Sequence, residues 1–155
     1  MISSSGSVGQ QVVPTLQPAA DVPEEGLKLK EAGNEAYRRK NYRAAIERYT
    51  EAAEKCPPLS EVAVTLFANR AQCHLALSHH KLALADIDAA LGLDPTHLKC
   101  LYRRAVALDG INADDVEAIA EPIDLLLFIT RCEHKEARAY KTKLVTRKAK
   151  MSMIN

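Results

Sequence analysis

The chain has 155 residues, 47% of them apolar and 26% charged, with no Trp and a formal net charge of +1. This is enough apolar material for one soluble domain with its own core. The longest apolar run, Leu125 to Ile129, is far short of the roughly 20 residues that cross a membrane as a helix. Four cysteines lie 17, 27 and 32 residues apart with no CxxC. That spacing argues against a zinc site and against a secreted disulfide framework, and suits reduced, mostly buried thiols in a cytosolic protein.

Met1 to Val22 is rich in Ser, Gly, Gln, Val and Pro and has no helical or alternating pattern. It has neither the basic start and apolar centre of a signal peptide nor the arginines of a transit peptide, so residues 1–23 are expected to form a flexible N-terminal segment. A first helix should start at Pro23-Glu24-Glu25, where Pro and acids suit a first turn, and run to about Lys40. Asn41-Tyr42 makes a turn, and a second helix from Arg43 to Lys55 ends at Cys56-Pro57-Pro58. Ser60 is the expected cap of a third helix reaching Leu77, with Ser78-His79-His80 as the next turn. A fourth helix is expected over Lys81 to Leu91, with Gly92 near its end. Asp94-Pro95 should restart the chain as cap and first turn of a fifth helix that stops at Gly110.

Beyond Gly110 the pattern weakens. Asp114-Asp115 is expected to cap a helix containing Val116, Ile119 and Ile123 to Ile129, with Pro122 as a kink or restart. A last helix, about Glu133 to Lys150, carries Ala137, Tyr140, Leu144 and Met151 on one stripe. Charge is unevenly spread: residues 131–150 carry +6 and the remainder −5.

An internal repeat runs through these elements. Leu29, Ala32-Gly33, Ala36, Ala45, Tyr49, Ala52 and Pro57 are matched by Phe67, Arg70-Ala71, His74, Ala83, Ile87, Ala90 and Pro95, and each pair is 38 residues apart. A third copy starts 34 residues later with Leu101, Arg104-Ala105 and Leu108. These spacings resemble the tetratricopeptide repeat (TPR), a 34-residue helix-turn-helix, with Ser60 to Ala63 as a four-residue insertion. The resemblance implies an all-α fold: a right-handed superhelix of three helix-turn-helix repeats plus a C-terminal capping helix. The repeats would span about 26–59, 64–97 and 98–131, the last degenerate, within a domain of residues 24–131, followed by a capping helix and tail over 132–155. Gly33, Ala71 and Ala105 share one place, where a small residue lets paired helices approach closely.

In a TPR array the first helices of successive repeats line the concave side. Lys30 and Asn34 share a face there, Asn69 follows on the third helix, and Lys99 and Arg103 share a face on the fifth. Cations and amide donors with no acid among them suit carboxylates. The five match the two-carboxylate clamp of TPR co-chaperones. By that resemblance Lys30, Asn34 and Asn69 would hold the terminal carboxylate of an acidic Glu-Glu-Val-Asp tail, while Lys99 and Arg103 hold its Asp side chain. Tyr37 and Gln72 would floor a pocket for the Val. The implied partner is the C-terminal peptide of a 70-kDa or 90-kDa heat-shock chaperone, met in the cytoplasm, with no cofactor, no catalysis and no small-molecule substrate.

Other signals read as structure. His79-His80 suits a surface turn rather than a metal pair, and Cys73, His74 and Asp86 lack the order of a nucleophile set. His97 and His134 suit helix starts and surface. Basic residues 141–150 suit a solvated capping helix, with nucleic acid or acidic lipid as the weaker alternative. Two further alternatives are a scaffold that binds an internal protein segment and the targeting domain of a larger prolyl isomerase or phosphatase.

Overall fold

The computed structural model describes residues 15–153, and the expectation for residues 1–14 lies outside them. Seven helices follow in order: α1 (Glu24–Arg38), α2 (Tyr42–Lys55), α3 (Glu61–Ala76), α4 (His80–Leu93), α5 (Leu98–Ile111), α6 (Val116–Ile129) and α7 (Lys135–Ser152). Each packs on its neighbours in sequence, so the molecule is a stack of helix pairs, and α3 also meets α5 directly.

Local chemistry explains most helix limits. Side-chain acceptors cap five helices: Asn41 takes the Ala44 N–H, Ser60 that of Ala63, His97 that of Cys100, Asp115 that of Ala118 and His134 that of Ala137. Three helix ends close in the same way. The N–H of Asn41 reaches Ala36 O, that of His79 reaches His74 O, and that of Cys132 reaches Leu127 O. Each is preceded by a residue of left-handed φ: Lys40, Ser78 and Arg131. Lys40 therefore stands outside α1, which stops at Arg38 instead.

The two glycines expected at helix ends stand just inside them. Gly92 lies inside α4, which runs on to Leu93, and Gly110 lies inside α5. A Cβ on Gly110 would sit 2.4 Å from the His80 ring, so its glycine serves a close approach rather than a stop. His80 is accordingly half-buried against α5 and is not a surface turn residue. Asp94-Pro95 does not start α5 either. Asp94 Oδ1 accepts from Thr96 N at 3.1 Å and Thr96 Oγ1 at 2.9 Å, which spends its side chain on a turn. His97 becomes the cap and the helix begins later.

The segment before α1 is docked from residue 15 onward. Gln17 N–H donates to Leu59 O at 2.7 Å, and Glu61 N–H donates to Gln17 O at 3.1 Å. Leu16 packs on the apolar cluster of α3, α4 and α5, and Val22 is buried with α1, α2 and α3. The inserted stretch around Ser60 is what receives this strap. Ser60 is wholly buried, and its Oγ donates to Pro57 O at 2.7 Å while accepting from Ala63 N.

Three apolar clusters fill the stack, the last uniting α5, α6 and α7 around Ile119, Ile123, Leu126 and Leu144. Pro122 lies within α6 and is buried there. The basic helix α7 spends much of its charge on this packing. Arg147 pairs with Asp109 at 2.7 Å, Lys141 with Asp124 at 2.7 Å, and Lys148 with Glu117. Tyr140 adds a 2.6 Å hydrogen bond to Asp109. Three of the five basic residues in 141–150 that suggested nucleic acid thus face carboxylates of the chain itself.

Candidate functional site

Helices α1, α3 and α5 enclose a groove of about 240 Å³ lined by Asn34, Tyr37, Arg38, Tyr49, Asn69, Gln72 and Arg103. It adjoins a second hollow of about 560 Å³ between α3, α5 and α7, which shares Gln72 and Arg103 with it and adds Leu75, Lys99, Tyr102, Val106, His134 and Glu136. Six of the seven residues singled out from sequence line this continuous surface. Lys30 does not line it. It stands one helical turn before Asn34, half-buried, where its charge acts on the Cys56 thiol.

The polar groups converge. Tyr49 Oη donates to Asn34 Oδ1 at 2.9 Å, and Asn69 Nδ2 from the neighbouring repeat approaches the same oxygen at 3.4 Å. Arg103 donates from Nε to Gln72 Oε1 at 2.7 Å and from Nη1 to Ala68 O at 2.9 Å. Both acceptors are neutral. Four of the described arginines are half-buried: Arg70, Arg103, Arg104 and Arg147. Arg70 pairs with Asp86, Arg104 with Asp88 and Glu121, and Arg147 with Asp109. Among the described residues Arg103 has no carboxylate partner. Burial pushes its guanidinium below the usual arginine value. A desolvated cation held by neutral groups is a seat for an anion, because an arriving carboxylate relieves the desolvation penalty.

Three features of the groove were missed in the sequence. Arg38 lines it, tied to Glu35 at 2.6 Å and Glu31 at 3.0 Å. Glu31 also accepts from Asn34 Nδ2 at 3.0 Å, so an acid does stand beside the amide donors. That hydrogen bond and the one from Arg38 hold the Glu31 carboxyl below its ordinary value. The spacing of Glu31, Asn34, Glu35 and Arg38 on one helix carried this signal. Tyr49 is the third; its ring sits under Gly33, where a Cβ would come within 2.6 Å of it.

The thiols and imidazoles near the groove form no reactive centre. Burial pushes Cys73 and Cys100 up to about 11, which leaves them protonated and inert. His74 stands 3.9 Å from Asp86, whose oxygens are already taken by Arg70.

No protein-family profile matches the chain. It is 35% identical over 99 residues to sperm-associated antigen 1 of Rattus norvegicus, covering 64% of this chain and 10% of that protein. It is 44% identical over 86 residues to serine/threonine-protein phosphatase T of Trypanosoma brucei brucei, covering 54% and 17%. With the Hsp70/Hsp90 co-chaperone cns1 of Schizosaccharomyces pombe it shares 36% over 88 residues, covering 56% and 24%. The chain thus spans only about a tenth to a quarter of the length of these relatives. Among solved structures, the first TPR of Spaghetti (RPAP3) bound to HSP90 peptide SRMEEVD superposes with a TM-score of 0.73 at 24% identity, over 83% of this chain and 97% of that one. The chain has the TPR fold. In TPR terms, α1, α3 and α5 are the first helices of three repeats, α2, α4 and α6 their partners, and α7 the helix that closes the stack.

Proposed function

We propose that this TPR domain is a non-catalytic interaction module of the co-chaperone kind, working in the cytoplasm. Its ligand is the C-terminal Glu-Glu-Val-Asp tail of the 70-kDa or 90-kDa heat-shock chaperone. Lys30, Asn34 and Asn69 take the terminal main-chain carboxylate, Lys99 and Arg103 take the Asp side chain, and Tyr37 with Gln72 receives the Val. The observation that carries this reading is Arg103, half-buried at the junction of both hollows and bonded only to neutral acceptors. Lys30 and Lys99 likewise have no acidic partner among the described residues. A C-terminal Asp offers two carboxylates on one residue, which suits cations separated along one groove. Each charge-assisted bond contributes about 1.5–3 kcal/mol, and ordering the peptide offsets much of that, so a micromolar dissociation constant, about −8 kcal/mol, is expected. The likeness to phosphatase T is compatible with the same grip serving as the targeting part of a longer enzyme.

Calorimetric titration with SRMEEVD tests the reading. Lys99→Ala and Asn69→Ala should each weaken binding at least about tenfold with helicity intact. A peptide amidated at its C-terminus should bind far more weakly than the free acid. Equal binding of the two would instead indicate a scaffold for internal segments.

A further inference from the structure

Resting on the reading above, we propose that Tyr49 is a positioning residue of the site: its hydroxyl fixes which end of the Asn34 amide faces the ligand. An asparagine presents either an oxygen or an NH2 group at nearly the same place, and only the NH2 group binds a carboxylate. Something must therefore choose. Tyr49 is only 2% exposed, and its ring is wedged beneath Gly33, so its hydroxyl has little freedom to swing away. Burial pushes the phenol up to about 12, so it keeps its proton and has it to donate. Its acceptor is Asn34 Oδ1 at 2.9 Å, and Asn69 Nδ2 points at the same oxygen. Turning the Asn34 amide over would set its NH2 group against that of Asn69 and take away the oxygen to which Tyr49 donates. Its Nδ2 is thus held toward Glu31 and the open side of α1, ready for an incoming carboxylate.

Packing alone does not ask for this hydroxyl. The matching place in the second repeat is Ile87, wholly buried and without a polar atom in its side chain. An apolar side chain serves there, whereas the first repeat, which carries Asn34, has a phenol.

Tyr49→Phe keeps the ring and removes the hydroxyl. Calorimetry with SRMEEVD as free acid and as C-terminal amide is expected to show about a tenfold loss for the free acid and little change for the amide, which narrows the discrimination between them. In an Asn34→Ala background the same change should cost nothing more, because Tyr49 acts through Asn34. Unchanged discrimination in Tyr49→Phe overturns the proposal while the carboxylate reading stands. An equal loss with and without Asn34 overturns it too, since the role is then structural. If the wild-type chain binds both peptides alike, the carboxylate reading and this proposal fall together. NMR on the wild-type complex gives a check that needs no variant. The Asn34 NH2 protons should show nuclear Overhauser contacts to the peptide's last residue, and contacts to the Tyr49 ring in their place would refute the assignment.

Discussion

Replacing Arg103 by Met should abolish tight binding without weakening the fold. The guanidinium spends two of its five N–H groups on Gln72 and Ala68, which leaves three for a ligand. Losing two charge-assisted bonds, each at the weaker end of about 1.5 kcal/mol, costs about 3 kcal/mol, roughly 150-fold in dissociation constant. The unliganded fold bears the opposite burden. Arg103 is a partly dehydrated charge without a counter-ion, and Met of similar length is free of that penalty. The melting temperature should stay level or rise by about 2–4 °C, the shift that 1 kcal/mol makes in a domain of this size. Arg70→Met is the contrasting control. It strands Asp86, only 7% exposed, and should cost roughly 3 kcal/mol while leaving intrinsic affinity alone. Differential scanning calorimetry and peptide titration on both variants separate the two roles. A fall of several degrees in Arg103→Met, or undiminished affinity, would refute the argument.

Other substitutions probe the same groove and its frame. Glu31→Gln removes the acid that now occupies Asn34 Nδ2, and it should tighten SRMEEVD binding about two- to fivefold by titration, the range of an exposed ionic contact. Gly92 has open space where a Cβ would go, so Gly92→Ala should stabilise α4 by about 0.5–1 kcal/mol, whereas Gly33→Ala, forced against the Tyr49 ring, should destabilise and lower affinity together. Both are read from melting curves. Burial chiefly lowers the His74 value, so the fold prefers its neutral form. The unfolded chain then binds the proton more readily, and stability should fall as pH drops through about 6.5. His74→Gln should flatten that part of the melting-temperature profile.

Much of the architecture could be read from the sequence because it rests on local rules. The 38-residue offset aligned Gly33 with Ala71 and Tyr49 with Ile87, and the cap Ser60 follows from a short polar side chain next to an apolar stripe. What escaped depends on contacts between distant residues. Gly110 reads as a stop until His80 is laid against it, and Gln17 reads as part of a featureless lead until Leu59 and Glu61 pair with its backbone. Asp94 reads as a helix cap in the sequence, but a turn takes its side chain before a helix can. At the site, residue type and helix face singled out Asn34, Asn69, Lys99 and Arg103. The hydrogen bonds of Glu31 and Tyr49, which decide what Asn34 can offer, depend on side-chain geometry that no spacing rule carries.

The central claim is that α1, α3 and α5 present donors to one doubly acidic chain end. NMR titration of the labelled chain with free-acid SRMEEVD tests it most directly, through the Arg103 Nε–H signal and the side-chain amides of Asn34 and Asn69. These three should shift together and saturate at one stoichiometric equivalent, and the amidated peptide should leave them nearly still. Shifts confined to α7, or to the outer faces of α4 and α6, would contradict the account.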